Sequence, residues 1–358
     1  MTLGARPTAD PALLDDEHLS YRDSARAFLA RHVVPGYAAW GKTRTIPREL
    51  LQRAAEDGFF GMSVPETFGG LEVADPRFGA VLAAVGMEAG TPALALVLAR
   101  HNDVAVPLLT RFGTDALRER WLGGMATGEV LAAVVEGSVT VDGGVIDGSA
   151  AFVVAGAQAD LLLVVAGDEV VLVDPAESGV RIAPSPAGVG LDAAAFADIT
   201  FERVPGVALS PGAAAEAAIA LDLTHAVTAA GGAQAALALS VEYVRDRRVF
   251  GVSLATLENT RTVVAGMASS AGSASAFADS CLRARVEGRL TAPVAAAAAH
   301  HCIHSYCAVV DAGVQLHGGY GYILEYPIAQ AYADAQFWQL QGGVAQLRRE
   351  AIAAPLLD

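Results

Sequence analysis

Apolar positions at helical spacing dominate the first third of the chain. Between Ser20 and Val33 the apolar side chains of Ala25, Phe28 and Leu29 fall on one helical face. Glycine, proline and asparagine separate this segment from others of the same kind. Further helices are predicted at Pro47–Phe59, Pro76–Ala89, Thr91–Arg100, Val104–Phe112 and Thr114–Met125. Residues 1–128 are therefore predicted to form an N-terminal helical domain.

Short valine-rich runs replace the helical spacing after residue 128. The predicted strands are Val130–Val135, Ala151–Val154, Leu161–Val165, Val170–Val173 and Asp198–Phe201. Turn-forming pairs such as Asp147-Gly148 and Asp174-Pro175 lie between these runs, which is typical of a compact β-structure. We expect residues 129–209 to form a small middle β-domain.

Helical spacing returns in the last part of the chain and is rich in alanine. The predicted helices are Ala213–Phe250, Leu257–Glu287, Ala292–Leu316 and Tyr326–Leu340. Small side chains allow helices to approach each other closely, so residues 210–358 are predicted to form a helical bundle. The fold class is thus α+β, in the order helical, β, helical.

Composition and charge narrow the possible functions of the 358-residue chain. Apolar residues make up 53% of it, which excludes general disorder, and the net charge of −15 disfavours a nucleic-acid partner. Met1–Asp16 lacks the pattern of a secretory signal, and no segment is interpreted as a membrane span. Three cysteines make no paired framework, so we expect a reduced, cytoplasmic protein.

Two segments near the C-terminus are more specific than these patterns. The first runs Tyr243-Val-Arg-Asp-Arg247-Arg-Val-Phe250-Gly251. The second is Gln315-Leu-His-Gly318-Gly319-Tyr-Gly-Tyr-Ile-Leu-Glu-Tyr-Pro327. They resemble the two C-terminal signatures of acyl-CoA dehydrogenases, Y-x-x-x-R-x-Q-F-G and Q-x-x-G-G-x-G-Y-x-x-E-Y-P. The resemblance implies an N-terminal helical domain, a small middle β-barrel domain and a C-terminal four-helix bundle.

The resemblance also implies a flavin enzyme of lipid metabolism that dehydrogenates an acyl thioester. FAD lies at a subunit interface in this family, so a homo- or hetero-oligomer is expected, with acyl-CoA or an acyl-carrier thioester as substrate. Arg247 matches the arginine that reaches the FAD pyrophosphate of a neighbouring subunit, and Phe250 matches the aromatic residue beside that nucleotide. Gln315, Gly318 and Gly319 match a segment whose backbone approaches the same nucleotide. For Arg247 alone, a surface charge at a helix end is the alternative interpretation.

The catalytic glutamate of the family has no counterpart in this chain. One branch of the family carries it at the position of Gly342, and another carries it on the long helix at the position of Leu221. Neither residue can remove a proton. Asp222 is adjacent, and either it is a displaced base or it is an exposed or capping carboxylate. His225 lies one helical turn further and is a candidate partner for Asp222.

Contacts to the chain's own isoalloxazine ring are eroded as well. Family motifs that bind the ring are replaced here by Val135-Glu136-Gly137, Phe152-Val153-Val154 and Val344. Three hypotheses follow. The leading one is a reduced subunit that completes the FAD site of a partner subunit. The others are a repurposed enzyme of secondary metabolism with a non-standard base, and a non-catalytic scaffold.

Four smaller patterns have a structural and a functional interpretation. His300, His304 and Cys307 share a helical face, but we favour a packed helix and expect no metal. His317 is expected to be a packed, neutral imidazole. The segment 101–103, His-Asn-Asp, is interpreted as a helix boundary with a capping side chain. The arginines at 283, 285 and 289 are interpreted as a solvated face rather than a phosphate site.

Overall fold

The computed structural model describes residues 13–340 and 344–357. Its N-terminal part is helical, as predicted. The helices are α1 (Asp16–Phe28), α2 (Val34–Thr43), α3 (Arg48–Glu56), α4 (Pro76–Glu88), α5 (Pro92–Ala99), α6 (Val106–Phe112) and α7 (Asp115–Thr127). Short π-helical segments join α1 to α2, at Leu29–Val33, and α5 to α6, at Arg100–Ala105.

The expected helix boundary at residues 101–103 is wrong. The π-helical segment carries the helix through, so that Pro92–Phe112 is continuous. By length and composition alone this helix could cross a membrane, but 83% of its most apolar window is buried inside the protein. Asn102 therefore caps no helix. Instead its side chain accepts a hydrogen bond from the Gly61 amide (2.8 Å) and donates one to the Phe59 carbonyl (3.0 Å).

Two four-stranded sheets form the middle part. Their strands are β1 (Ala132–Glu136), β2 (Ser138–Asp142), β3 (Val145–Val153), β4 (Leu161–Ala166), β5 (Glu169–Val173), β6 (Val180–Pro184), β7 (Ala197–Pro205) and β8 (Val207–Ala208). The strand orders are β1-β4-β5-β8 and β2-β3-β7-β6. Apolar side chains from both sheets, including Val135, Ile146, Val164 and Phe201, share one core.

All five predicted strands are confirmed, whereas β2, β6 and β8 were not predicted. The three are short or largely exposed strands, so their sequences lack the valine-rich signal of a buried strand. A hairpin turn at Gly143-Gly144, where both φ angles are positive, connects β2 to β3.

The C-terminal part returns to helix. It comprises α8 (Ala213–Asp246), a hairpin of β9 (Arg248–Val249) and β10 (Val252–Ser253), α9 (Glu258–Val286), α10 (Ala292–His317), α11 (Pro327–Leu340) and α12 (Val344–Leu357). Helices α8 to α11 pack together as the bundle, and α12 lies on α10. The prediction that the long helix reaches Phe250 is wrong, because Arg247 takes an extended conformation that ends α8 at Asp246.

The predicted α+β class and the order helical, β, helical are confirmed. Helix α7 ends at Thr127 and β1 begins at Ala132, while β8 ends at Ala208 and α8 begins at Ala213. The assignment of residues 1–128, 129–209 and 210–358 to separate domains stays a prediction.

Candidate functional site

A groove at the end of α8 brings together residues from both sequence signatures. Its volume is about 510 Å³, and Arg247, Gly318, Gly319 and Tyr320 line it. Arg247 follows directly after α8, and its guanidinium lies 5.2 Å from the centre of the Tyr320 ring. An arginine on an aromatic face is held without an ion pair, so its donors can still bind an anion.

The glycine pair leaves the floor of this groove open. Gly318 has φ of 58°, a conformation that favours glycine, and it ends α10. A Cβ built on Gly318 or Gly319 would have no neighbouring atom within 4 Å. The backbone here is thus accessible to a ligand that a side chain would exclude.

Phe250 lies beside the groove at the tip of the β9–β10 hairpin. Phe250 and Gly251 form the two-residue turn with φ of 51° and 83°, the pattern of a type I′ turn. The phenylalanine is 100% exposed. A fully exposed aromatic side chain is the kind of residue that anchors protein interfaces.

Packing of neighbouring side chains fixes the groove wall. The ring of His317 stacks on Tyr243 with centroids 3.9 Å apart, and the Tyr243 hydroxyl donates to the His317 carbonyl (3.2 Å). Burial lowers the pKa of His317, whose Nδ1 lies 2.8 Å from the Gly313 carbonyl. The expectation that His317 is packed is confirmed, and the direction of its pKa shift agrees with a neutral imidazole. Gln315 is exposed near the end of α10 and does not line the groove.

A second polar cluster lies inside the protein, on α8 and the elements around it. Arg348 of α12 is only 4% exposed, and its Nε lies 2.5 Å from Asp222 Oδ1. The same guanidinium contacts His225 Nδ1. Arg100, from the π-helical segment, lies 3.3 Å from His225 Nε2 and 3.1 Å from Glu136 Oε2. We call these five residues the charge network.

The charge network balances its formal charges, apart from the histidine. Two arginines face two carboxylates, and the protein surrounds all of them. Removing charges from water is costly unless each finds a partner, so the cluster is stable only as a unit. Burial raises the pKa of Asp222, and Arg348 opposes that rise. Burial also lowers the pKa of Arg100, and Glu136 opposes that change.

Two family models match this chain. The N-terminal domain of acyl-CoA dehydrogenase matches residues 15–129, and the C-terminal domain matches residues 222–357. Together the two matches cover more than two thirds of the sequence. The chain belongs to the acyl-CoA dehydrogenase family.

Individual members of the family are similar along nearly the whole chain. The long-chain specific acyl-CoA dehydrogenase of Sus scrofa mitochondria is 26% identical, over 96% of this chain and 87% of that protein. A crystal structure of an acyl-CoA dehydrogenase from Geobacillus kaustophilus superposes with a TM-score of 0.88 and 25% identity, covering 96% of this chain and 99% of that one. A glutaryl-CoA dehydrogenase from Mycobacterium smegmatis, in complex with FADH2, has the same fold with a TM-score of 0.85, 19% identity, and coverage of 97% and 96%.

The acyl-CoA dehydrogenase family is one of flavin-dependent oxidoreductases, and the two sites suit a flavin differently. The groove offers an arginine, an open glycine backbone and an exposed aromatic residue, which fit a nucleotide pyrophosphate. The charge network does not suit a ring. Glu136 belongs to the segment that stands in place of a ring-binding motif, yet its carboxylate is bound to Arg100.

Leu221 and Gly342 occupy the two positions at which the family carries its catalytic glutamate. Leu221 is 4% exposed and belongs to an apolar core between α8 and the β-domain. Gly342 lies outside the described residues. Asp222 is neither exposed nor at a helix end, so the expectation of an exposed or capping carboxylate is wrong. Its role as a displaced base stays a prediction.

Sequence reasoning missed Arg100 and Arg348. Arg100 was visible as a charge that directly follows the apolar run from Pro92 to Ala99, which is a signal of a buried, paired arginine. Arg348 carried no such signal, since it belongs to an ordinary mixed segment near the C-terminus. His225 does contact an arginine that binds Asp222, so the two share a partner rather than pairing directly.

The histidine, cysteine and arginine patterns noted in the sequence have structural partners in the described part of the chain. Among residues 13–340 and 344–357, no group of three potential ligands is placed to hold a metal ion. His304 Nδ1 lies 2.8 Å from the His300 carbonyl, and the Cys307 thiol faces the Ala335 carbonyl at 3.6 Å. Arg285 is not part of a solvated face, because it forms a partly buried ion pair with Glu216.

Proposed function

We propose that this chain is a reduced acyl-CoA dehydrogenase subunit that completes the FAD site of a partner subunit. The enzyme as a whole would remove two hydrogens from the CH–CH bond of an acyl thioester, carried by CoA or a carrier protein. The partner is either a second copy of this chain or, as we favour, a related subunit with a full set of ring contacts. A cytoplasmic location is part of the proposal.

The contrast between the two sites carries this proposal. Residues that would bind a neighbour's nucleotide are present and accessible, namely Arg247, Gly318, Gly319 and Phe250. Residues beside the chain's own ring position are bound to one another in the charge network. A ligand entering there would have to break two buried ion pairs, each of which is costly to separate.

The flavin, when bound, supplies the hydride acceptor of the reaction. This chain's part is binding and orientation. Arg247 would donate paired hydrogen bonds to the pyrophosphate, and the open backbone at Gly318 and Gly319 would let the nucleotide approach closely. Phe250 would cover the nucleotide from the hairpin tip. Gln315, exposed near the end of α10, is proposed to reach the same nucleotide from outside the groove.

A visible spectrum tests the proposal. The purified chain alone should be colourless, and a complex with a full-length acyl-CoA dehydrogenase encoded beside it should carry one flavin per pair of subunits. Arg247→Ala should lower the flavin content of the complex at least about tenfold at limiting FAD. Arg245→Ala is the matched control, since Arg245 is exposed on the same helix end and does not line the groove.

Two results would count against this function. One is a yellow homo-oligomer with one flavin for each copy of this chain. The other is an equal loss of flavin in both arginine variants, which would indicate a general effect of charge rather than pyrophosphate binding.

Asp222 favours a second candidate, a repurposed enzyme with its own base. Burial raises the pKa of this carboxylate, which makes it a stronger base than a solvated aspartate. Activity of the isolated chain on an acyl thioester that disappears in Asp222→Asn would establish this candidate. Unchanged activity in that variant removes Asp222 as the base. Failure to bind FAD, both alone and with every co-expressed neighbour, would leave the scaffold hypothesis.

A further inference from the structure

A separate cavity lies on the opposite face of α8 from the charge network. Its wall on α8 includes Ala220, Leu223, Thr224 and Val227, with Glu216 one turn before them. At 3.6 residues per turn these four positions form one stripe, and Asp222 and His225 lie on the other side of the helix. The cavity therefore belongs neither to the charge network nor to the groove at Arg247.

The cavity is mainly apolar and large enough for a small molecule. Its volume is about 270 Å³, and aliphatic side chains of α4, α8 and the helix Pro92–Phe112 contribute to its apolar surface. An apolar cavity of about 150 Å³ already binds benzene. A ligand of six to eight heavy atoms is thus within its capacity.

One carboxylate in the cavity wall lacks a partner. Asp103 lines the cavity, and no described residue donates a hydrogen bond to its side chain or forms an ion pair with it within 4 Å. Gly79 of α4 is so close that a Cβ there would lie 2.0 Å from Asp103 Oδ1. The Asp103 side chain is partly exposed in the cavity wall, and a cationic ligand there would supply the partner that the described residues do not.

Neighbouring charges compensate Asp103 only in part. Arg285 of α9 lines the same cavity, but it is bound to Glu216 of α8. Arg111 lies 3.5 Å from the other oxygen of Glu216. Tyr21 of α1 also faces Asp103, and the carboxylate helps to keep that phenol neutral. Asp75 is bound to Arg77 and lies near His18.

A second polar atom in the wall is also unpartnered. The Thr110 hydroxyl oxygen is buried without a hydrogen-bond partner within the described part of the chain. Thr110 follows Asp103 by two helical turns, so the two residues share one face of the helix. The cavity thus has Asp103 and Thr110 on one wall, opposite the mainly apolar stripe of α8 and beside the ion pair of Arg285 and Glu216.

We propose that this cavity binds a small aliphatic amine, with its ammonium group on Asp103 and its carbon chain along α8 towards Thr110. An ammonium group has three donors and no acceptor, which matches a carboxylate that lacks donors. A carboxylate ligand of the same length would instead place its negative charge beside the negative charge of Asp103. The site requires no flavin and is independent of the function proposed above.

Isothermal titration calorimetry of the full chain at pH 8 with hexylamine tests the proposal, with hexan-1-ol and hexanoate as comparison ligands. Hexylamine should bind, and hexanoate should not. Asp103→Asn should weaken hexylamine binding at least about tenfold. This variant removes an unpaired charge and should fold at least as well as the parent chain.

Asp115→Asn is the matched control, because it makes the same change of charge at a side chain that is 91% exposed and does not line the cavity. Hexylamine binding to it should stay within about threefold of the parent value. Three results would overturn the proposal: no binding of hexylamine to the parent chain, equal binding to Asp103→Asn, or equal losses in both variants. Hexan-1-ol binding as tightly as hexylamine would also overturn the assignment of an amine.

Discussion

Replacing Asp103 by asparagine should stabilise the protein, and the gain should grow as the pH rises. Burial raises the pKa of Asp103 from 3.8 to about 7, and Arg285 only partly opposes that rise. Below pH 4 the carboxyl group is protonated in both the folded and the unfolded chain. Between pH 4 and 7 the unfolded chain ionises first, so the free energy of unfolding falls as the pH rises. Above about pH 7 the carboxyl group is ionised in both states, and the free energy of unfolding no longer falls on its account.

The size of the loss follows from the shift. One pKa unit corresponds to about 1.4 kcal/mol, so the ionised Asp103 lowers the stability by roughly 4 kcal/mol at pH 8 relative to acid. Of this change, roughly 2–3 kcal/mol falls between pH 5 and pH 8. Asparagine cannot ionise. The free energy of unfolding of Asp103→Asn, relative to that of the parent chain, should therefore rise by the same amount between pH 5 and pH 8.

Urea-induced unfolding of both proteins at pH 5 and pH 8, followed by circular dichroism, measures this difference directly. Other groups around the cavity, such as Tyr21, Arg285 and Glu216, are present in both proteins and largely cancel. Asp115→Asn serves as the control, because the Asp115 side chain is 91% exposed. A difference between Asp103→Asn and the parent chain that stays constant with pH, or shrinks as the pH rises, would refute the reasoning.

Three further predictions concern the charge network, the core helix and the hairpin. Arg348→Leu should lower the free energy of unfolding by about 3 kcal/mol in a urea titration, because it leaves Asp222 buried without its partner. Arg349→Leu, on the exposed side of α12, is the control and should change the free energy of unfolding little. Burial lowers the pKa of His101 to about 3. Below pH 6.5 this imidazole therefore becomes protonated in the unfolded chain before it does in the folded chain, and the free energy of unfolding falls by about 2 kcal/mol from pH 7 to pH 5. His101→Gln should abolish that part of the loss in paired unfolding curves, and an unchanged slope would contradict it. Phe250→Asn should raise the melting temperature of the isolated chain while reducing flavin in the complex. A lower melting temperature together with a lower flavin content would instead indicate that Phe250 stabilises its own chain.

The sequence allowed the architecture and the groove to be predicted because both depend on local signals. Helical and alternating patterns are read over ten to twenty residues, and the groove residues belong to two short signatures. Arg247 and Gly318 lie far apart in the sequence, but each was identified from its own segment. The weakly patterned strands β2 and β6 were missed for the same reason, since exposed edges carry little hydrophobic signal.

The charge network and the cavity could not be predicted from local patterns. Arg348 contacts Asp222 although the two lie more than a hundred residues apart in the sequence, and no sequence periodicity predicts such a contact. Asp103 was interpreted as part of a helix boundary because polar residues at 101–103 interrupt an apolar run. The π-helical turn lets the helix continue instead, so that His101 and Asp103 point to different surroundings. Polar residues inside an apolar helix are therefore better signals of buried sites than of helix ends.

Phe250 supports the proposal that the groove is completed by a molecule outside this chain. A β-hairpin with a type I′ turn favours asparagine or glycine at both turn positions, and a bulky residue at positive φ costs about 1 kcal/mol. Phe250 has that conformation with φ of 51°, and its ring is fully exposed, so it gains nothing from packing within its own chain. The isolated protein thus bears a conformational cost and an exposed aromatic ring at one position. Both are offset if the ring is covered by a bound nucleotide or by the subunit that holds it, which is the arrangement proposed for the groove.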